Sequence, residues 1–510
     1  MDIWTTPSGN RAYLGIVAHW VDENNEVREV LIGLPDLKGN HSGPNIAALA
    51  FKVIEEYGIG PKVGFYTLDS ATNNDTTIVK LHKMLMANYG WEAPLISPND
   101  ARLRCFGHVL NLAAKALLFG TDTEAFESGG DGRLDAEAEE TEFSKWRKFG
   151  PLGKAHNFVV FLYRSNQRQD MFREVQTEML KWDHSILPHM SNATRWNSWF
   201  LMVNDLLNLH EPVDLYVNMC RSSKSMDKKD KKRLEDCVLQ DEDWEELIQI
   251  HAILYDFWEL TLRMQGNVAR KVKSEAKLYD MEDKVYDKPG KDLLGATPSQ
   301  ATSNASEDGA LFNVLPAYEH ILSKLEEAKA KYSQDTRFGT SINLAWLKMD
   351  NYYKKTDTSK AYLVAAVLDP RVKLKYFERN WAPEWLTGAR ENLDAHTEIL
   401  VQALKLETRN DFGAEPADKE THDSQESNTT FGSWRAGEDD YDGDDDIVEG
   451  GIKAEWDEYF RTGRVRDYKG FSLRNWWLAN QFKFPTLSRV ALDLLAMPAM
   501  STEVERVFSG

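Results

Sequence analysis

A chain of 510 residues, 42% hydrophobic and 11% aromatic, has enough apolar material for more than one packed core. No apolar run reaches the roughly eighteen residues of a membrane span, and the opening Met1-Asp2-Ile3-Trp4 lacks the blocks of a secretory signal, so an intracellular protein is expected. A net charge of −20 spread evenly would argue against nucleic acid, but residues 121–143 carry −8 and residues 411–450 carry −12. The rest of the chain balances, so a DNA-binding face stays open. The three cysteines, Cys105, Cys220 and Cys237, are too few and too scattered for a disulfide framework or a zinc ribbon, and a reducing compartment is expected.

Residues 1–118 alternate strand and helix. "AYLGIVAHWV" and "VREVLIGL" read as adjoining strands, apolar on both faces as in a covered sheet. "NIAALAFKVIEEYG" sets Ile46, Leu49, Ala50 and Val53 at helical spacing, with Ser42 and Pro44 ahead and Gly58 behind. "VGFYTL" reads as a further strand, "DSATNN" as a break, "TTIVKLHKMLMANYG" as a helix, and "RCFGHVLNLAAKALLFG" as a strand turning into a helix. The pattern predicts an α/β layer with a mixed sheet.

Residues 119–150 change character: "GTDTEAFESGGDGRLDAEAEETE" is acidic and has no apolar period, the composition of a disordered loop. Residues 151–407 carry long helical patterns and predict an all-α domain, interrupted by the linker-like "GATPSQATSNASEDGA". The lysine-rich "KSMDKKDKKRLED" within it reads as a solvated helix face, a phosphate-contacting patch or a nuclear import signal. Residues 408–450 form a second acidic, disordered stretch. From 451 helical pattern returns, with Leu487, Val490, Ala491, Leu494 and Leu495 sharing a face.

Five short stretches stand out: "DIWTT" with Asp2, "YTLDSATNND" with Asp69, "RCFGHVLNL" with Cys105 and His108, "ATRWNSW" with Arg195 and Trp196, and "MPAMSTEVERVFS" with Glu505. Taken singly each has a plain structural reading. Thr502 and Glu505 make a helix capping box. Asp69 fits a turn, Asp2 a solvated chain end, Cys105 and His108 packed core positions, and Trp196 a core aromatic. Cys105 and His108 have the spacing of half a zinc site with no second half nearby.

Taken in order, the five stretches resemble the hAT superfamily of DNA transposases, whose pattern runs D-x-W-T, D-x-x-x-N, C-x-x-H-x-x-N-L, R-W and then P-x-x-S followed by E-R-x-F-S. The likeness extends over nearly the whole chain. It implies an RNase H-like mixed-sheet core interrupted by a large helical insertion. Residues 1–118 would be the first half of the core, 119–150 and 408–450 acidic disordered segments, and 151–407 the helical insertion. Residues 451–510 would close the core and begin the dimerisation region.

The resemblance implies that Asp2, Asp69 and Glu505 are the catalytic and metal-holding trio of a DDE transposase, with two Mg²⁺ or Mn²⁺ ions. Hard carboxylate oxygens are the donors magnesium prefers, and a metal pair roughly 4 Å apart suits phosphodiester displacement. The family places Cys105 and His108 beside the pocket, and Arg195 and Trp196 on the DNA, the indole stacking on an extruded base. It further implies transposon-end DNA as partner, self-association through the C-terminal region and a nuclear location. Members usually carry a longer first strand and a BED-type zinc finger before the D-x-W-T aspartate, and more helices after E-R-x-F-S, so a chain truncated at both ends is expected. A domesticated or relic protein that binds DNA and self-associates without chemistry is the alternative.

Overall fold

The structure is a computed structural model and describes residues 1–6, 11–92, 96–120, 145–146, 148–191, 196–224, 226–265, 310–378, 381–410, 451–466 and 471–501. Outside these lie most of the two acidic segments and of the "GATPSQATSNASEDGA" linker, together with Arg195 and Glu505. The chain divides into two compact units: residues 1–66, 71–103 and 358–497 in the first, and residues 67–70, 104–357 and 498 onward in the second.

In the first unit, β1 (Asp2–Thr5), β2 (Ala12–Val21) and β3 (Val27–Gly33) form an antiparallel sheet in the order β1-β2-β3. Asp2 stands opposite Gly15, and Val21 opposite Val27. Asp22 builds the β2–β3 turn: its carboxylate accepts the N–H groups of Asn24 and Glu26, and Asn25 takes a left-handed φ of 57°. Asn is among the residues that tolerate that region.

Helices α1 (Gly43–Glu56) and α2 (Thr72–Tyr89) pack on each other. Gly43 permits their approach, because a Cβ there would lie 2.8 Å from the backbone nitrogen of Thr77 and 2.9 Å from the carbonyl of Asn73. Joined to this unit are α12 (Lys360–Leu368), α13 (Lys373–Phe377), α14 (Pro383–Asn410), α15 (Gly451–Arg461), α16 (Leu473–Ala479) and α17 (Pro485–Leu495). Helix α17 touches β2 and packs on α12, α14, α15 and α16.

An aromatic core of Trp456, Tyr459, Trp477 and Phe484 ties these C-terminal helices together, all four side chains being buried. The indole N–H groups find acceptors, Trp477 on the Leu368 carbonyl at 3.0 Å and Trp456 on Thr397 at 3.1 Å. Buried indoles need such partners. The buried Glu455 carboxylate accepts the N–H groups of Thr486 and Leu487 at the start of α17, supplying a cap that Phe484 and Pro485 lack.

Two sequence expectations need correction. The described strands do not make one mixed sheet: β4 (Tyr66–Leu68) pairs only with β5 (Arg102–Arg104), apart from β1–β3. The short links between β1, β2 and β3 favour hairpin pairing, and of the expected run "VGFYTL" only Tyr66–Leu68 forms strand. Nor is the β1–β3 sheet covered on both faces. Leu14 and Ile16 of β2 are buried, whereas Val30 and Leu31 of β3 are 46% and 38% exposed. β3 is an edge strand, and α1 and α17 reach β2 instead.

The second unit is helical, as the periodicity of its sequence predicts. It comprises α3 (Phe106–Phe119), α4 (Gly150–Tyr163), α5 (Asn166–Glu174), α6 (Trp196–Asn208), α7 (His210–Ser222), α8 (Lys228–Glu235), α9 (Asp241–Met264), α10 (Val314–Lys331) and α11 (Thr336–Tyr353). Its centre is α3, which packs on α11, α9 and α6 with Phe106, Val109, Leu110, Ala113 and Ala114 fully buried. The lysine-rich stretch forms α8, capped by Asp227 through the Asp230 N–H. Ion pairs of Arg221 with Glu235 and of Arg168 with Asp230 hold it.

Candidate functional site

Three of the motifs meet in the second unit. Asp69 follows β4 directly and is half-buried. Two residues before it, the Thr67 hydroxyl donates to the Pro498 carbonyl at 3.1 Å. Pro498 forms an isolated antiparallel bridge with Ala310, and the Phe106 N–H donates to the Ala499 carbonyl at 2.9 Å. The Ser501 N–H then donates to the buried Cys105 sulfur at 3.3 Å.

Residues 498–501 are thereby fixed against both the Asp69 segment and the start of α3. Gly107 makes room for them: a Cβ there would lie 2.9 Å from the Met500 sulfur. Ser501 is the last described residue, four before Glu505.

Cys105 sits at the N-terminus of α3, and its N–H closes on the Leu68 carbonyl at 2.8 Å, so β4 leads to Asp69 at the same place where β5 turns into α3. His108 lies in the first turn of that helix and is half-buried. Cys105 is packed as its plain reading as a core thiol expects. It is buried, and it anchors the segment that runs toward Glu505.

The fourth motif is tied to the third by a side chain whose role sequence reasoning missed. Asn111 is the N of C-x-x-H-x-x-N-L, and its Oδ1 accepts the N–H of Trp196 at 3.2 Å. A residue 85 positions earlier thus supplies the N-terminal partner for α6. On the approach to this helix, Gln176 brackets Ile186 with one bond to its N–H and one to its carbonyl. Asp205 takes both the backbone and the ring of His189, and His156 bonds Ser191 at 2.7 Å. Burial lowers His156 to about 3.

The Trp196 ring is only 2% exposed and packs edge-on against Phe257 and Trp258 and at a tilt to Phe200. Stacking on a base would require the ring to leave this cluster.

Asp2 belongs to the first unit. It opens β1, is half-buried, and accepts the Ile3 N–H at 2.9 Å. Among the described residues no three His, Cys, Asp or Glu side chains are grouped as metal ligands; the third carboxylate of the expected trio, Glu505, is outside them. The donor chemistry at the two described positions fits a hard divalent cation. Beside Asp69, moreover, the Ser70 hydroxyl is buried with no hydrogen-bond partner among the described residues, a polar atom that a hydrated ion would satisfy.

Three family models match in chain order: the ZBED1 RNase-like domain over residues 1–91, the ZBED1 RNase-like helical domain over 103–253, and the hAT family C-terminal dimerisation region over 455–510. The chain belongs to the hAT family. The first match contains Asp2 and Asp69, the second Cys105, His108, Arg195 and Trp196, and the third Glu505.

Similar proteins align along the whole chain. A putative transcriptional regulator, tpeD, of Talaromyces stipitatus is 22% identical over 50% of its own length. A putative AC transposase of Zea mays is 20% identical over 53%, and the zinc finger BED domain-containing protein RICESLEEPER 2 of Oryza sativa is 20% identical over 60%. This hAT chain spans about half the length of the curated relatives it matches. No helix among its described residues is long and apolar enough to cross a membrane.

Proposed function

We propose that this chain is a hAT-type transposase or transposase-derived protein with an RNase H-like core, acting in the nucleus on the DNA of transposon ends. In this reading Asp2, Asp69 and Glu505 hold two Mg²⁺ or Mn²⁺ ions. When bound, such ions activate an attacking oxygen and stabilise a leaving oxygen in phosphodiester cleavage and strand transfer. Asp2 and Asp69 present carboxylates from the start and the end of strands, where backbone ladders limit their movement. Cys105, through Ser501, steadies the approach to Glu505, and His108 stands one helical turn on. Arg195 contacts DNA near the cleavage point, and Trp196 does so once its ring leaves the cluster with Phe200, Phe257 and Trp258, while Asn111 holds the helix that Trp196 begins.

The observation that carries the reading is the attachment of residues 498–501 to Thr67 and Cys105. It brings the stretch preceding Glu505 to the stretch preceding Asp69 across more than four hundred positions. The test is a cleavage assay on labelled duplex DNA carrying the transposon ends. Divalent-dependent nicking that vanishes in Asp69→Ala supports the proposal, and equal nicking by the mutant refutes it.

A second reading is favoured by the similarity to a putative transcriptional regulator along the entire chain. Here the fold, DNA binding and self-association persist without cleavage. The same assay separates the two, because this protein would bind the duplex and leave it whole with every metal.

A further inference from the structure

Within the stretch matched by the hAT C-terminal dimerisation region, most large apolar side chains are spent on the internal core. Among the described residues of this stretch, Phe482 is the exception. It is 80% exposed, while its near neighbour Phe484 is fully buried against Tyr459 and Trp477.

The turn that carries Phe482 is well fixed. The Phe484 N–H donates to the Asn480 carbonyl at 2.9 Å, and Asn480 returns two bonds to the Trp476 carbonyl. Lys483 pairs with Glu458 at 3.0 Å, anchoring the turn to α15. Next to Phe482 along the chain, Ala479 and Pro485 are also exposed. The result is an apolar tip held rigidly and rimmed by a lysine and a glutamate. An aromatic centre with a polar rim is how protein interfaces concentrate their binding energy, and a patch bearing both charge signs is self-complementary across a two-fold axis.

We infer that Phe482 is the central contact through which this chain pairs with a second copy of itself. The inference rests on the self-association named under the proposed function and deepens it by assigning the surface. The occupant follows from continuity with the matched dimerisation region, in which this tip lies.

The test is sedimentation of the purified protein over a concentration series, for the wild type, Phe482→Asp and Trp385→Asp. Trp385 is a control, 65% exposed but outside the matched region. The expected result is a dimer for the wild type and for Trp385→Asp, and a dimer dissociation constant raised at least about 30-fold for Phe482→Asp, the size of an interface hot spot. Circular dichroism and the melting temperature of that variant should match the wild type, because an exposed side chain contributes little to folding. Phe482→Leu, which keeps an apolar tip, should restore pairing in part. A wild type that stays monomeric throughout would overturn the self-association reading itself. A dimeric wild type with an equally dimeric Phe482→Asp would overturn only the assignment to Phe482, as would a Phe482→Asp that stays dimeric but loses DNA binding, which would give the tip to DNA.

Discussion

The backbone N–H of Ser501 donates to the sulfur of Cys105 at 3.3 Å, across 396 positions of sequence. This bond, with the one from Thr67 to Pro498, places the last described residues of the chain beside the strand that ends at Asp69. Ser501 and Asp69, hundreds of positions apart, thereby share a neighbourhood.

Cys105→Ala should loosen that attachment. It removes the acceptor of a buried N–H, at a cost of about 1 kcal/mol. Faster hydrogen exchange at the Ser501 amide, with exchange in the middle of α3 unchanged, is the expected outcome. Unchanged exchange at Ser501 would show that the bond carries no weight.

Asn111→Leu should uncap α6, because the Trp196 N–H loses its acceptor. The expected destabilisation is about 1 to 2 kcal/mol, read by urea unfolding. Asn111→Asp keeps an oxygen in the same place and should recover most of the loss. If the two variants behave alike, the hydrogen bond is not what matters at this position.

Glu455→Ala should cost more, about 2 to 3 kcal/mol, since a buried carboxylate there accepts two charge-assisted bonds at a helix start. Glu455→Gln retains an acceptor but loses the charge and should fall between. Thermal unfolding of the three proteins gives the order directly.

Acid should weaken the fold. Burial lowers His156 to about 3 and His82 and His251 to about 4, all below the ordinary value of 6.5. The folded state keeps these imidazoles neutral, while the unfolded chain takes up protons as pH falls below 6.5. Stability contributed by the neutral rings is therefore present above pH 6.5 and lost as pH falls from that value to about 4 for His82 and His251 and to about 3 for His156. Urea midpoints measured from pH 7 to pH 4 should decline, and His156→Gln should flatten part of the slope.

Much of this could be read from the sequence, and the reasons are local. β2 matches its predicted run residue for residue, since ten residues of strand formers bounded by a polar turn leave little choice. The passage from strand to helix at Arg102–Phe119 was also legible, from the switch of apolar spacing. The exposure of β3 was not, because an apolar run records that side chains are apolar and not whether a partner layer reaches them.

Asn111 sat in plain view within its motif. Its bond to Trp196 is a tertiary contact, and no spacing along the chain encodes the distance between α3 and the start of α6. Thr67 and Ser501 escaped for the same reason, although the order of the motifs already pointed to their neighbourhoods.

Asp2, Asp69 and Glu505 are proposed to serve one metal site. Equilibrium binding of Mn²⁺, followed by its electron paramagnetic resonance signal, tests this most directly in the wild type and in Asp2→Asn, Asp69→Asn and Glu505→Gln. Each single substitution is predicted to weaken binding at least about tenfold, the loss of roughly 1.4 kcal/mol. Wild-type affinity in any one of the three would contradict a shared site.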